Sequence, residues 1–266
     1  MSLFPRVLKP LMPIIATVFG FTLIYVTSLP MLDEGQSVGG ELLSWLLTSA
    51  AIVLTYYIVF NVEPKVFQEA AEFPPKRPNF KTIAGILLIA PLFFLVQEYI
   101  VYGLASLCSN LQMEPLTYSA EELREDLFSS IHAVLLAPVL EELCFRQMAV
   151  SPFSKRGAQV VVCLVMALLF GMLHVRNFAG SAFGALAFGL VFIFSRNIWY
   201  SIALHAGSNL MATLLAIYCW LDLGEIKMSH LPVIMIPDIK VLIANIILAA
   251  FGVYFLTRQS NSHFSD

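Results

Sequence analysis

The sequence predicts an all-α fold, a polytopic membrane helix bundle of about eight transmembrane helices. Three observations predict it. Of 266 residues, 59% are hydrophobic and only 12% are charged, against roughly 25% charged in an ordinary soluble domain. The mean hydropathy of +0.81 leaves too few polar groups to cover a water-facing surface. The apolar residues also recur in blocks of about 20, the length of helix that crosses a bilayer.

The elements follow in order. The N-terminal stretch "MSLFPRVLKPLMPIIATVFGFTLIYVTSLP" has a basic start and a long apolar run. The run exceeds a signal-peptide core and no small-x-small cleavage site follows, so it is expected as the first span, 11–30. Further spans are expected at 43–61, 82–104, 127–150, 158–175, 178–195, 199–219 and 239–257. The longest linker, "EPKVFQEAAEFPPKRPNFKT", is irregular by its prolines, and the tail "QSNSHFSD" is polar. Placing both termini in the cytoplasm puts Arg6, Lys9, Lys65, Lys76, Arg77, Lys81, Lys155, Arg156, Arg196 and Arg258 on that side. Arg124, Arg176, Lys227 and Lys240 fall on the other. Ten against four satisfies the positive-inside rule for a multi-pass integral membrane protein, of the cytoplasmic membrane if bacterial. Gly180 and Gly184 form a G-x-x-x-G pair, which predicts close helix approach within the bundle rather than dimerisation.

Composition also excludes partners. The net charge is −3 and no Lys/Arg cluster is long enough to bind nucleic acid. Membrane lipid is the expected surroundings. Cys108, Cys144, Cys163 and Cys219 lack metal-type spacing, and Cys144 and Cys163 fall in apolar spans as small buried hydrophobes.

The chemistry-bearing residues cluster between 121 and 220. Within "APVLEELCFRQMAV", Glu141, Glu142 and Arg146 lie inside the fourth span, where each charge costs about 2.5–3.5 kcal/mol at the bilayer centre. Glu142 and Arg146 stand i,i+4, acid before base, and neutralise each other. Glu141 projects about 100° away around the helix and is left without a local partner. If spans four and five form a hairpin, Glu141 and His174 lie at matching depth. His205 and Asn209 share one face of the seventh span and enter from the same side. Four polar groups from three spans thus converge at one level. Pro138 removes a backbone bond and crowds the carbonyl of Val134, predicting a kink just before Glu141. Singly, each residue also has a structural reading: a histidine on a carbonyl, an asparagine as interhelical glue, an ion pair as a brace.

"EELCFR" (Glu141, Glu142, Arg146) fits EExxxR, "FGMLH" (Phe170, His174) fits FxxxH, and "HAGSN" (His205, Asn209) fits HxxxN. Together they resemble the CPBP intramembrane proteases, which include the CaaX prenyl proteases of the Rce1 type and bacterial Abi proteins. The resemblance covers about residues 120–220. It divides the chain into motif-free transmembrane helices (1–120), a CPBP/Abi-like catalytic core (121–220) and a last helix with its tail (221–266). It implies an intramembrane endopeptidase acting on a membrane-associated peptide or protein. Glu141 would activate water with help from His174, and His205 and Asn209 would stabilise the oxyanion. Alternatively, His174 and His205, with Glu141, would hold zinc. Glu142 and Arg146 would keep the site in shape.

Physical chemistry supports a buried carboxylate as a base and an imidazolium or amide as an oxyanion donor. A catalytic zinc wants three protein ligands plus water and would consume Glu141, so the cofactor is either none or zinc. There is no H-E-x-x-H, no G-x-S-x-G with Ser181 correctly placed, and no paired intraspan aspartates. Two other classes compete: a proton-coupled transporter and a non-catalytic binding or immunity protein. The chain shows no inverted repeat, which weighs against the transporter. A full set of motif residues weighs against the inert binder.

Overall fold

The computed structural model describes residue 50 and residues 78–108, 117–118, 130–174, 177–223, 226–227 and 243–253. The expected spans 11–30 and 43–61, the long linker up to residue 77 and the polar tail lie outside the described residues. Within them the fold is helical, apart from a two-residue antiparallel pairing of β1 (Thr117–Tyr118) with β2 (Ile226–Lys227). That pairing ties the connection before the motif region to the one after it.

Among the described residues, four helices are long and apolar enough to cross a membrane. They are α1 (Phe80–Cys108), α3 (Arg156–Leu173), α4 (Phe178–Ser195) and α5 (Ile198–Leu223). Between α1 and α3 lies α2 (Ala137–Glu142), which runs on into a π-helical turn (Leu143–Met148). A shorter apolar helix, α6 (Ile243–Val253), lies within the expected eighth span. The expected spans at 82–104, 158–175, 178–195 and 199–219 correspond to α1, α3, α4 and α5.

The outer faces explain how such helices persist. On α3, Val161, Leu164, Val165, Leu168 and Met172 are exposed at helical spacing, with Val161 and Met172 each 60% open. An apolar stripe turned outward is stable against lipid tails and unstable against water. The inner face of α3 (Val162, Cys163, Met166, Ala167, Phe170) packs with Leu140, Phe145 and Met148 of the α2 region and with Ala185 and Ile193 of α4. A second core joins Phe94 and Leu95 of α1 to Met211 and Leu215 of α5. Phe188 links α4 to Ala90 and Leu204 in a third.

Glycines set the closest approaches. A Cβ at Gly171 would stand 2.7 Å from the Phe178 carbonyl oxygen and 2.8 Å from Ala182 Cβ, so α3 and α4 meet there. At Gly207 it would stand 2.5 Å from Ala90 Cβ of α1. Pro91 lies inside α1 and lacks the N–H that would pair with the Leu87 carbonyl. That carbonyl faces the Gly207 side of α5. The G-x-x-x-G pair receives polar side chains: Gly184 leaves room for Gln97 of α1, and Gly180 for Asn177. Both contacts are internal to the bundle.

Of the expected span 127–150, the described residues 130–150 are helical but interrupted. Helix at 130–135 gives way to a turn at Leu136, and Pro138 sits at the start of α2, where its missing N–H costs least. The interruption therefore falls at Leu136, with Pro138 opening the next helix rather than bending the interior of one. The π-turn beyond carries the i→i+5 bond from the Ser151 N–H to the Arg146 carbonyl, 3.1 Å.

Candidate active site

Glu142 is the hub of the site. It is fully buried, and Arg146 Nε lies 3.1 Å from its Oε2, so the i,i+4 pair forms across the widened turn. Ser201 of α5 contacts the same oxygen and also lies 2.9 Å from the Phe188 carbonyl. His205 Nδ1 lies 3.0 Å from Oε1. A carboxylate held by a guanidinium is ionised and can only accept, so Nδ1 carries the proton. Arg146 is fixed in turn: Nη2 donates to the Ala185 carbonyl at 2.6 Å, and the guanidinium lies within 6.0 Å of the rings of Phe145, Phe170 and Phe188.

The other nitrogen of His205 faces Glu141. Nε2 is 3.5 Å from Glu141 Oε2, and Glu141 keeps 16% of its side chain exposed while His205 keeps 5%. One imidazole thus bridges two adjacent carboxylates, one sealed and one accessible. Phe188 stacks on the His205 ring at 4.4 Å and 20°, fixing its plane.

His174 is the C-cap of α3, with φ −101° and ψ 62°, and is exposed. Its Nδ1 donates to the Phe170 carbonyl at 2.8 Å. A carbonyl only accepts, so the neutral ring presents an Nε2 lone pair. Phe170 stacks on His174 at 4.3 Å and meets the His205 ring edge-on at 6.0 Å.

Asn209 lies one turn beyond His205 and donates Nδ2–H to the Ala133 carbonyl at 2.7 Å. It joins α5 to the helix ahead of α2. An amide nitrogen carries two hydrogens, so a second donor remains. The structure therefore brings Glu141, Glu142, Arg146 and His205 into direct contact, reaches His174 through the Phe170 ring, and sets Asn209 against Ala133.

Sequence reasoning missed Ser201 and Phe188. Ser201 precedes His205 by four residues on the same face, the signal that would have found it. Phe188 carries none beyond its apolar character.

Glu141 and His205 Nε2 could share one cation, but no group of three His, Cys, Asp or Glu side chains among the described residues converges on a metal position. Glu142 is already occupied by Arg146, Ser201 and His205. These donors do not fit a zinc held by three protein ligands.

Residues 124–211 match the family model described as type II CAAX prenyl endopeptidase Rce1-like. That segment holds all seven motif residues and Ser201. No curated protein and no solved structure matches the chain.

Proposed function

From the premise that residues 124–211 form an Rce1-like type II CAAX prenyl endopeptidase domain, and hence a peptidase, we propose that this chain is an intramembrane endopeptidase working by carboxylate-activated water. The observation that carries the reading is Glu141: accessible, 3.5 Å from an imidazole, and beside a second glutamate that is fully engaged elsewhere.

Each proton has a place. Glu141 takes a proton from water while the His174 Nε2 lone pair orients it, and the water oxygen attacks the scissile carbonyl carbon. His205, held by Glu142 through Nδ1–H and carrying a second proton on Nε2, donates Nε2–H to the oxyanion, joined by the second N–H of Asn209. The C–N bond then breaks, and Glu141 returns its proton to the departing amine. A positioned base contributes typically 10²–10⁴-fold, and each oxyanion donor about 10²–10³-fold. Residues 121–220 form the catalytic core, the flanking helices (1–120, 221–266) set it in the bilayer, and both termini face the cytoplasm. The substrate is a membrane-associated peptide or protein, met from within the lipid.

The test compares the wild-type chain with Glu141→Gln in liposomes, reading peptide cleavage by mass spectrometry alongside the amount of folded protein. The expected outcome is loss of cleavage by about 10²-fold or more at equal folded protein. Full cleavage by Glu141→Gln would exclude the mechanism, and solute uptake without proteolysis would place the chain among transporters.

A further inference from the structure

Four of the described cations gather at one end of the bundle. Lys155 and Arg156 open α3 and are exposed. The Arg156 guanidinium lies 5.4 Å from the Phe194 ring, so the start of α3 meets the end of α4. There Arg196 forms the C-cap of α4, in left-handed geometry with φ 56°, and α5 begins at Ile198. The Asn79 N–H donates to the Tyr200 hydroxyl at 3.1 Å. That bond brings the start of α1, and with it the exposed Lys81, to the start of α5.

The described carboxylates lie elsewhere. Glu98 stands about 25 Å along α1 from Lys81, and Asp222 about 36 Å along α5 from Ile198. Glu142 is sealed against Arg146, and Glu141 is held beside His205. Between residues 143 and 221 the sequence contains no Asp or Glu. Among the described residues, this end of the bundle is therefore cationic without a counter-charge of its own.

Aromatic rings share that level. Phe80, Phe194 and Trp199 are exposed, and Tyr200 follows directly. Trp and Tyr favour the membrane–water boundary because each joins an apolar ring to a polar N–H or O–H. Lys and Arg lay an apolar stem along such a surface and carry the charge outward to the phosphates. Cations and rings thus mark the same headgroup level independently.

We propose that this end of the bundle is a docking surface for anionic phospholipid headgroups, built from Lys81, Lys155, Arg156 and Arg196 and flanked by Phe194 and Trp199. Charge complementarity names the occupant: an apolar belt surrounds the helices, and the anion at its edge is a lipid phosphate. An anionic headgroup keeps its net charge, whereas a zwitterionic one brings its own cation and gains less. Because α3 and α4 both supply cations, a headgroup seated there bridges the two ends of their hairpin. The inference does not depend on the peptidase reading.

The experiment incubates the full-length protein in detergent with phosphatidylglycerol or phosphatidylcholine and counts retained lipid by native mass spectrometry, with a thermal melt to confirm folding. Wild type is expected to retain phosphatidylglycerol in preference, and molar salt to erase the preference by screening. Lys155→Gln/Arg156→Gln should weaken phosphatidylglycerol retention by about 5-fold or more and leave phosphatidylcholine unchanged. Lys81→Gln should weaken it in the same direction, and Lys155→Arg should match wild type. Equal retention of the two lipids by wild type overturns the proposal, as does a preference that survives the double substitution or molar salt. Displacement of the lipid by millimolar inorganic phosphate assigns the cluster to a soluble anion and overturns it as well. If the double variant does not fold, Lys155→Gln and Lys81→Gln decide, and wild-type retention by both overturns the proposal.

Discussion

Glu142 and Arg146 lie in the bundle interior, 0% and 3% exposed, and neither can lose its partner cheaply. Removing one member of a buried pair strands the other charge and costs about 3–5 kcal/mol. Arg146→Met should therefore lower unfolding stability by that amount and abolish activity through misfolding. Ser201→Ala should cost only about 1–3 kcal/mol, leaving Glu142 its two other partners and cleavage measurable per folded molecule. Chemical denaturation in detergent with an activity assay separates the two. The i,i+4 spacing made the Glu142–Arg146 bond legible in the sequence, because helical geometry fixes that contact. The engagement of Glu142 by His205 and Ser201 was not legible: it depends on how α5 rotates against α2, which no local spacing encodes. Asn209 shows the same limit. Its helical face could be read, but its bond to Ala133 required the position of the helix ahead of α2.

At the level of elements, the α3–α4 hairpin depends on absent side chains. A Cβ at Gly171 meets a backbone oxygen at 2.7 Å, which cannot rotate away. Gly171→Ala should destabilise by about 1–3 kcal/mol. Gly157, in the first turn of α3, has nothing within 4 Å of a Cβ, so Gly157→Ala should be neutral or stabilising by up to about 1 kcal/mol. Thermal melts of the two variants in one detergent test the contrast. Helix positions were legible to within a few residues wherever a span is uniformly apolar, as in α4, expected at 178–195 and found at Phe178–Ser195. The motif-bearing segment was the least legible. Pro138 announced an interruption, but nothing in "LCFRQM" announced the π-turn, which tertiary contacts to α3 and α4 stabilise.

For the whole molecule, the apolar outer faces of the described helices mean that the folded chain needs a bilayer or detergent around it. Two predictions belong here. Because the described donors around Glu141 do not assemble three ligands, peptidase activity should survive dialysis against a strong zinc chelator, with no stoichiometric zinc by elemental analysis; chelator-sensitive cleavage restored by zinc would reverse this. If both termini are cytoplasmic, single cysteines introduced at either end should resist membrane-impermeant thiol reagents in intact cells and react after permeabilisation. The family match covers a stretch of 88 residues, 124–211, and the motif-free helix α1 contributes contacts that no motif foretells, Gln97 against Gly184 among them.

His205 grips one glutamate with each of its ring nitrogens, and Ser201 adds a third tether one turn earlier. Prising α2 away from α5 would have to snap all three in a single movement.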